Sequence, residues 1–329
     1  MPDEEAVGAC AVVGAGRMGH GIALVYALAG HPVTLYDVDE ETLAASRDRI
    51  AGALDTMVAA GAATRDAADD ALANVARDAD LKSAVAGADL VTEAVAEDLE
   101  VKRATFEALD EHAEPDAVLA TNTSGLSIDD VAGPVDDAGR VLGTHWFNPP
   151  YAVPLVEVVR GTATRDAAVE SAYGALDAAG KTPVVVEKDV PGFIGNRIQA
   201  AMSYEAFSLL ARGVATPAAI DRAVKAGFGF RLPIVGIFEK MDQSGLAIHR
   251  EVERQLMGDL DRGTEPNPVI EELVERGETG IDAGKGVYDW TGVDVDETVA
   301  ARDRALLELG EVYEAADPDA SPPANYDRT

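Results

Sequence analysis

With one cysteine, Cys10, in 329 residues, no disulfide framework can staple this chain, and its fold has to rest on a buried core. Lysine is also scarce, with seven against 59 aspartates and glutamates, and the formal net charge is −32. That surplus argues against nucleic acid and anionic membrane surfaces as partners, because both carry the same sign. The acids are spread along the whole chain rather than gathered in a tail. Such a spread matches a solvated surface in high salt, where screening shortens to a few Å, so a halophilic habitat is expected. Two further absences bear on location: there is no run of about 18 apolar residues, and no basic segment ahead of an apolar one at the start. A soluble, cytoplasmic protein is the expectation, without internal repeats.

What the chain does contain is 47% hydrophobic residues and length enough for two domains. The most informative stretch begins at Ala9. An apolar run to Val13 reads as a buried strand and feeds into Gly14-Ala15-Gly16-Arg17-Met18-Gly19, after which Ile22, Leu24, Val25 and Leu28 fall at helical spacing. Gly14 permits the turn, Gly16 removes a side chain where a pyrophosphate approaches the backbone, and Gly19 lets the helix sit close on the strand. The helix N-terminus turns its unpaired N–H groups toward phosphate. Asp37 ends a second strand, Pro32 to Tyr36, 18 residues past Gly19, near the spacing at which an acid meets ribose hydroxyls. Asp37, Asp39 and Glu40 together repel a 2′-phosphate, which favours NAD over NADP.

Helical patterns from Glu40 to about Ala60 and from Arg65 to Val75 suggest an inserted helical arm at about 40–80. Strands at Ala88–Val95, Ala117–Ala120 and Val141–Gly143 then alternate with helices and end in polar clusters, as in a parallel sheet with crossover helices. Asp37, Asn122 to Ser124 and His145 to Asn148 therefore converge on the edge that holds the glycine turn. Two more strands, Leu155–Val159 and Pro183–Glu187, flank a helix from Asp166 to Ala179. Only helical patterns follow: Ile198 to Arg212, Pro217 to Gly227, Gly236 to Leu256 and Asn267 to Arg276. The expected division is residues 1–188 for the sheet domain, 189–314 for an all-helical second domain, and a disordered tail at 315–329 rich in Asp, Pro and Ala.

Of five histidines, His145 alone lies at the carboxyl end of a sheet strand, with Pro149 and Pro150 keeping the chain after it out of a helix. A free imidazole titrates near ~6.5 and can take a hydroxyl proton at neutral pH. The alternative is a satisfied core histidine. A base of this kind needs an orienting acid, and Glu157 interrupts the run Leu155-Val156-x-Val158-Val159, where a charge is costly unless paired. On a solvated strand face it would be structural only. Ser124 and Asn196 offer neutral hydrogen-bonding groups, or else serve as a turn residue and a helix start.

Taken together, Gly14 to Ala23, Glu93-Ala-Val-Ala-Glu97, Asn122-Thr-Ser124, His145-Trp-Phe-Asn-Pro149, Leu155-Val-Glu157 and Pro191-Gly-Phe-Ile-Gly-Asn-Arg197 resemble the L-3-hydroxyacyl-CoA dehydrogenase family, in family order from about residue 8 to 290. The resemblance implies a Rossmann-type α/β fold, doubly wound around a mostly parallel sheet, with a second all-helical C-terminal domain that forms a homodimer. It implies His145 as base, Glu157 as its orienter, and Ser124 and Asn196 holding the substrate oxygen. Asn148 would lie near the nicotinamide, and Glu97 and Lys102 would touch the cofactor, which is NAD, while no metal is expected. The implied reaction is oxidation of a short-chain L-3-hydroxyacyl-CoA, as in β-oxidation of fatty acids. A serine and a lysine that contact CoA in animal members fall at or near Ala53 and Ala60, and a common lysine falls at Asp282. Features of Asn148 to Glu157 and Gly229 to Pro233 are similar to the lambda-crystallin and L-gulonate 3-dehydrogenase branch, which implies a free 3-hydroxy acid as the alternative substrate.

Overall fold

The apolar run after Ala9 becomes a strand because both its faces are covered. In β1 (Cys10–Val13) all four residues are buried: Cys10 and Val12 enter one core cluster, Ala11 and Val13 the other. Side chains that alternate between two cores are what a central strand of a doubly covered sheet requires. The computed structural model that shows this describes residues 7–316. The tail beyond Ala316, expected to be disordered, lies outside the described residues.

After β1 come α1 (Gly19–Leu28), β2 (Val33–Tyr36), α2 (Glu40–Ala59), α3 (Arg65–Asn74) and β3 (Val75–Asp78). They are followed by α4 (Leu81–Val85), β4 (Leu90–Glu93), α5 (Leu99–His112), β5 (Val118–Thr121) and α6 (Ile128–Ala132). Then β6 (Val141–Trp146), β7 (Leu155–Arg160), α7 (Asp166–Ala178) and β8 (Thr182–Val186) complete one eight-stranded sheet in the order β3-β2-β1-β4-β5-β6-β7-β8. Every neighbouring pair is parallel except β6 and β7. The fold is thus Rossmann-type and mostly parallel, as expected. Phe106 and Leu109 of α5 are fully buried against one face, each worth roughly 1.5–3 kcal/mol by the apolar area removed from water.

Three features differ from the sequence reading. Val75, read as the end of a helix, instead opens the edge strand β3, which pairs with β2. Strand β6 runs three residues past Gly143, because antiparallel β7 continues the ladder where β5 stops. The stretch from Gly236 to Leu256, read as one helix, is two, divided at Gly245, whose φ of +92° no helix accommodates.

The remaining helices are α8 (Gly195–Ala211), α9 (Pro217–Ala226), α10 (Phe228–Arg231), α11 (Ile237–Ser244), α12 (Leu246–Leu256), α13 (Pro268–Glu275) and α14 (Val295–Ala315). The chain divides into two compact units. The first runs to Arg197 and regains Asp303–Glu308; the second holds Ile198–Arg302 and the residues from Leu309. The first unit thus extends past residue 188, where the sequence reading put the boundary. Helix α14 was not foreseen. Its middle turn belongs to the sheet unit, where Leu307 joins the core and buried Asp303 accepts a hydrogen bond from Tyr151 Oη at 2.5 Å.

Candidate active site

The turn after β1 is built by steric exclusion. Gly14 has a φ of +106°, and a Cβ there would meet the Ala94 carbonyl at 2.6 Å. At Gly19 a Cβ would stand 1.7 Å from the Gly14 carbonyl, so any side chain would push α1 off the strand. Gly16 is different: nothing lies within 4 Å of its Cβ position, which leaves open space above the turn. Asp37 ties this turn to the end of β2, its Oδ2 accepting from Ala15 N at 2.7 Å and its Oδ1 from Asp39 N at 2.9 Å. Those two bonds leave the carboxylate acceptor sites for a ribose hydroxyl. Arg17 is exposed and Met18 half-buried at the start of α1.

His145 and Glu157 stand directly opposite one another in the antiparallel register of β6 and β7. Facing positions of that kind bring Cβ atoms to about 5 Å, close enough for a short side-chain bond. His145 Nδ1 donates to Glu157 Oε2 at 2.7 Å, with the two residues 6% and 1% exposed. The second carboxylate oxygen, Oε1, accepts the N–H groups of Ile194 at 2.8 Å and Gly195 at 3.0 Å, at the start of α8. Burial opposes ionisation of Glu157, but the bonds from His145, Gly195 and Ile194 outweigh it and hold the carboxyl below its usual range. With Nδ1 donating, Nε2 of a neutral His145 is an acceptor, and Asn196 Nδ2 lies 3.5 Å from it. The ring is flanked by Phe147 and Phe193, at centroid distances of 4.6 and 5.6 Å.

Ser124 completes the group. Its carbonyl accepts from Asn196 Nδ2 at 3.3 Å, and its Oγ donates to Glu97 Oε1 at 3.1 Å. The same Glu97 oxygen takes Ser124 N at 2.8 Å and Thr123 Oγ1 at 2.6 Å. For Glu97 too, burial opposes ionisation, but these bonds and the Lys102 charge hold its carboxyl low. His145, Glu157, Asn196, Ser124 and Glu97 therefore form one connected network. Asn148 stands exposed two residues beyond β6.

One residue sits elsewhere than the resemblance implies. Lys102 is fully buried, its Nζ 2.8 and 3.0 Å from the carboxylate of buried Glu93 and 3.4 Å from Glu97. It stands behind Glu97, which alone of the pair reaches the surface. A lysine taken out of water must be paired, and Glu93 is the pairing acid; it also accepts from Thr121 Oγ1 at 2.7 Å and Val95 N at 2.7 Å. The sequence reading missed Phe147, Phe193 and the two N–H groups on Glu157. The block Pro191 to Gly195 carried a signal: Phe193 adopts a φ of +48°, and a Cβ on Gly195 would strike Phe147 at 2.5 Å.

A glycine turn on a doubly wound sheet, with an acid ending the second strand, defines a dinucleotide-binding protein. The comparisons narrow this. Residues 9–190 match the NAD-binding domain of 3-hydroxyacyl-CoA dehydrogenase and residues 192–290 its C-terminal domain. The chain belongs to the 3-hydroxyacyl-CoA dehydrogenase family, and its cofactor is NAD. It is 32% identical over 304 residues to 5-formyl-3-hydroxy-2-methylpyridine 4-carboxylate 5-dehydrogenase of Mesorhizobium japonicum, covering 92% of this chain and 97% of that one. A crystal structure of a dehydrogenase of that activity, described as an NAD+ dependent dismutase, superposes with a TM-score of 0.88 over 94% of this chain and 99% of that one, at 32% identity. The 3-hydroxybutyryl-CoA dehydrogenase of Bradyrhizobium diazoefficiens is 37% identical over 282 residues, 85% of this chain and 94% of its own length. Against 3-hydroxyadipyl-CoA dehydrogenase of Escherichia coli the identity is 39% over 85% of this chain, which spans 58% of that longer protein.

Proposed function

We propose that the protein oxidises the 3-hydroxyl of a short-chain L-3-hydroxyacyl-CoA to the ketone. His145 Nε2 accepts the hydroxyl proton as the carbon–oxygen double bond forms. Glu157, held ionised, stabilises the imidazolium and fixes the tautomer that leaves Nε2 free. The Asn196 amide donates to the reacting oxygen. Ser124 Oγ, which donates to Glu97 at 3.1 Å, would turn its single proton to the reacting oxygen when substrate binds. Gly14, Ala15, Gly16, Arg17, Met18, Gly19 and Asp37 would hold the dinucleotide, with Asn148 near its nicotinamide end. When bound, NAD supplies the acceptor for the hydride leaving carbon 3. Phe147 and Phe193 exclude water from the imidazole. The observation that carries this reading is the buried His145–Glu157 pair.

A second reading is supported by the relative that acts on a pyridine carboxylate and matches this chain over nearly its full length. Together with alanine at positions 53 and 60, it favours a small free hydroxy acid. NADH formation with 3-hydroxybutyryl-CoA, free 3-hydroxybutyrate and L-gulonate, measured in high salt, separates the two. Turnover of free acids alone would remove CoA from the proposal. We also propose a homodimer through the second unit, whose Phe230, Ile237, Phe238, Leu246 and Ile248 are all exposed in one copy.

A further inference from the structure

The arm after β2 carries three arginines, and the structure gives each a different role. Arg65 is paired with Asp55 at 2.8 Å. Arg47 is exposed on α2. Arg49, one half-turn further on, reaches back to the glycine turn, where its Nη1 donates to the Ala15 carbonyl at 3.3 Å. Ala15 is therefore held from two sides, its N–H by Asp37 and its carbonyl by Arg49. His20, in the first turn of α1, donates from Nδ1 to the Gly16 carbonyl at 2.7 Å. Burial, and after it the Arg49 charge, hold the His20 imidazole below its ordinary value against that bond. The guanidinium thus lies beside the start of α1, next to the open space above Gly16.

Arg49 donates to a carbonyl of the glycine turn itself, which brings its charge to the start of α1. A guanidinium has five N–H donors in a planar fork that matches phosphate geometry, and one bond to Ala15 leaves most of them for a ligand. We propose that Arg49 is a phosphate-binding residue, giving charge-assisted hydrogen bonds to the pyrophosphate of the dinucleotide, so that the helical arm takes part in holding the cofactor. The proposal rests on NAD lying over the glycine turn. A CoA carrier also bears phosphates, and the position of Arg49 at Ala15, rather than further along α2, favours those of the dinucleotide.

The test is titration calorimetry of the whole protein with NAD, ADP-ribose and adenosine, for the native chain, Arg49→Gln, Arg49→Lys and the exposed control Arg47→Gln. Arg49→Gln is expected to weaken NAD and ADP-ribose by about 10- to 100-fold while leaving adenosine unchanged, because the lost bond is to phosphate. Arg49→Lys should recover part of the loss, and Arg47→Gln should bind as the native chain does. Unchanged NAD affinity in Arg49→Gln, with or without a lower melting temperature, would reduce Arg49 to a brace on the turn and overturn the proposal. So would an equal loss with adenosine or with Arg47→Gln. A raised KM for 3-hydroxybutyryl-CoA at unchanged NAD affinity would assign the phosphate to the carrier instead. If the native chain bound no NAD, the reading of the glycine turn itself would fall, which is a separate outcome.

Discussion

In the sheet unit Val12, Leu35, Leu90, Leu119 and Leu142 have no exposed surface, whereas no residue of α9 to α13 is buried. The polar groups divide the same way. Glu93, Lys102, His145 and Glu157 are buried and mutually bonded in the sheet unit, while the ion pairs of the second unit, such as Arg212–Asp259 and Arg276–Glu272, lie at its surface. Buried charges cost several kcal/mol unless paired, so a network of them persists where its geometry is used. Phe230 and Phe238 of the second unit, by contrast, are 80% and 82% accessible, an exposed apolar surface of the kind on which the proposed dimer rests. In the function proposed above, chemistry goes with the first unit and association with the second.

The largest expected effect breaks that division if it fails. His145→Gln should lower kcat/KM by roughly 10²–10⁴, the contribution of a general base, while leaving NAD affinity and sedimentation unchanged. An unchanged rate would move the base elsewhere. Next comes Phe238→Asp, in the second unit. Loss of one central aromatic anchor costs about 2 kcal/mol or more at an interface, so the dimer constant should weaken at least ~30-fold by sedimentation equilibrium, with the sheet unit's melting unaffected. A variant that sediments as the native chain does would take α11 out of the proposed interface.

Much of the first unit could be read from residues alone, because its signals are local. Gly14, Gly16 and Gly19 announce a turn whose steric reasons lie within a few residues, and an acid inside an apolar strand, Glu157, announces a partner. What could not be read depends on pairing at a distance. The register that sets His145 against Glu157 arises from β7 running antiparallel to β6, and nothing in either strand alone states its direction. The resemblance implied Lys102 at the cofactor, whereas its pairing with Glu93 depends on how α5 packs behind β4, which neither segment states alone. Four residues at Val75 are too short a run to distinguish a strand from a helix end. Helix α14 mixes charged and apolar residues along its length, and within the sheet unit it is fixed by the contacts of Asp303 and Leu307.

A smaller effect comes from acid. Glu157, Glu97 and Asp110 all have carboxyls held below their unfolded values, despite burial, by the bonds already described and, for Asp110, by Asp136 N and Arg140. Groups of this sign bind fewer protons when folded, so their stabilisation is complete above the unfolded carboxylate range and is lost as pH falls through the lower folded values. Urea midpoints followed by tryptophan fluorescence should therefore decline below about pH 4.5. In Glu157→Gln that decline should be shallower, and an identical decline would show that Glu157 gains nothing from its bonds.

The smallest expected effect lies at the alkaline end and belongs to Lys181. Its Nζ donates to the carbonyls of Pro150 and, at 3.0 Å, Val153, and stands 5.7 Å from the Trp146 ring, so it pins the turn that carries Asn148. Burial lowers its ammonium from 10.5 to about 8. The sign is the same as for the carboxylates, though here the cause is burial of the charged form: between about 8 and 10.5 the unfolded chain holds a proton that the folded chain has released. Stability should thus rise with pH across that window and stay flat, as far as this group is concerned, below it. Lys181→Met fills a similar volume and cannot titrate. The difference in unfolding free energy between native chain and variant, measured from pH 7 to 10, should change in favour of the native chain above about 8, by no more than a few kcal/mol. A difference that stayed constant with pH would mean that Lys181 keeps its proton inside the fold, and that the two carbonyls outweigh its burial.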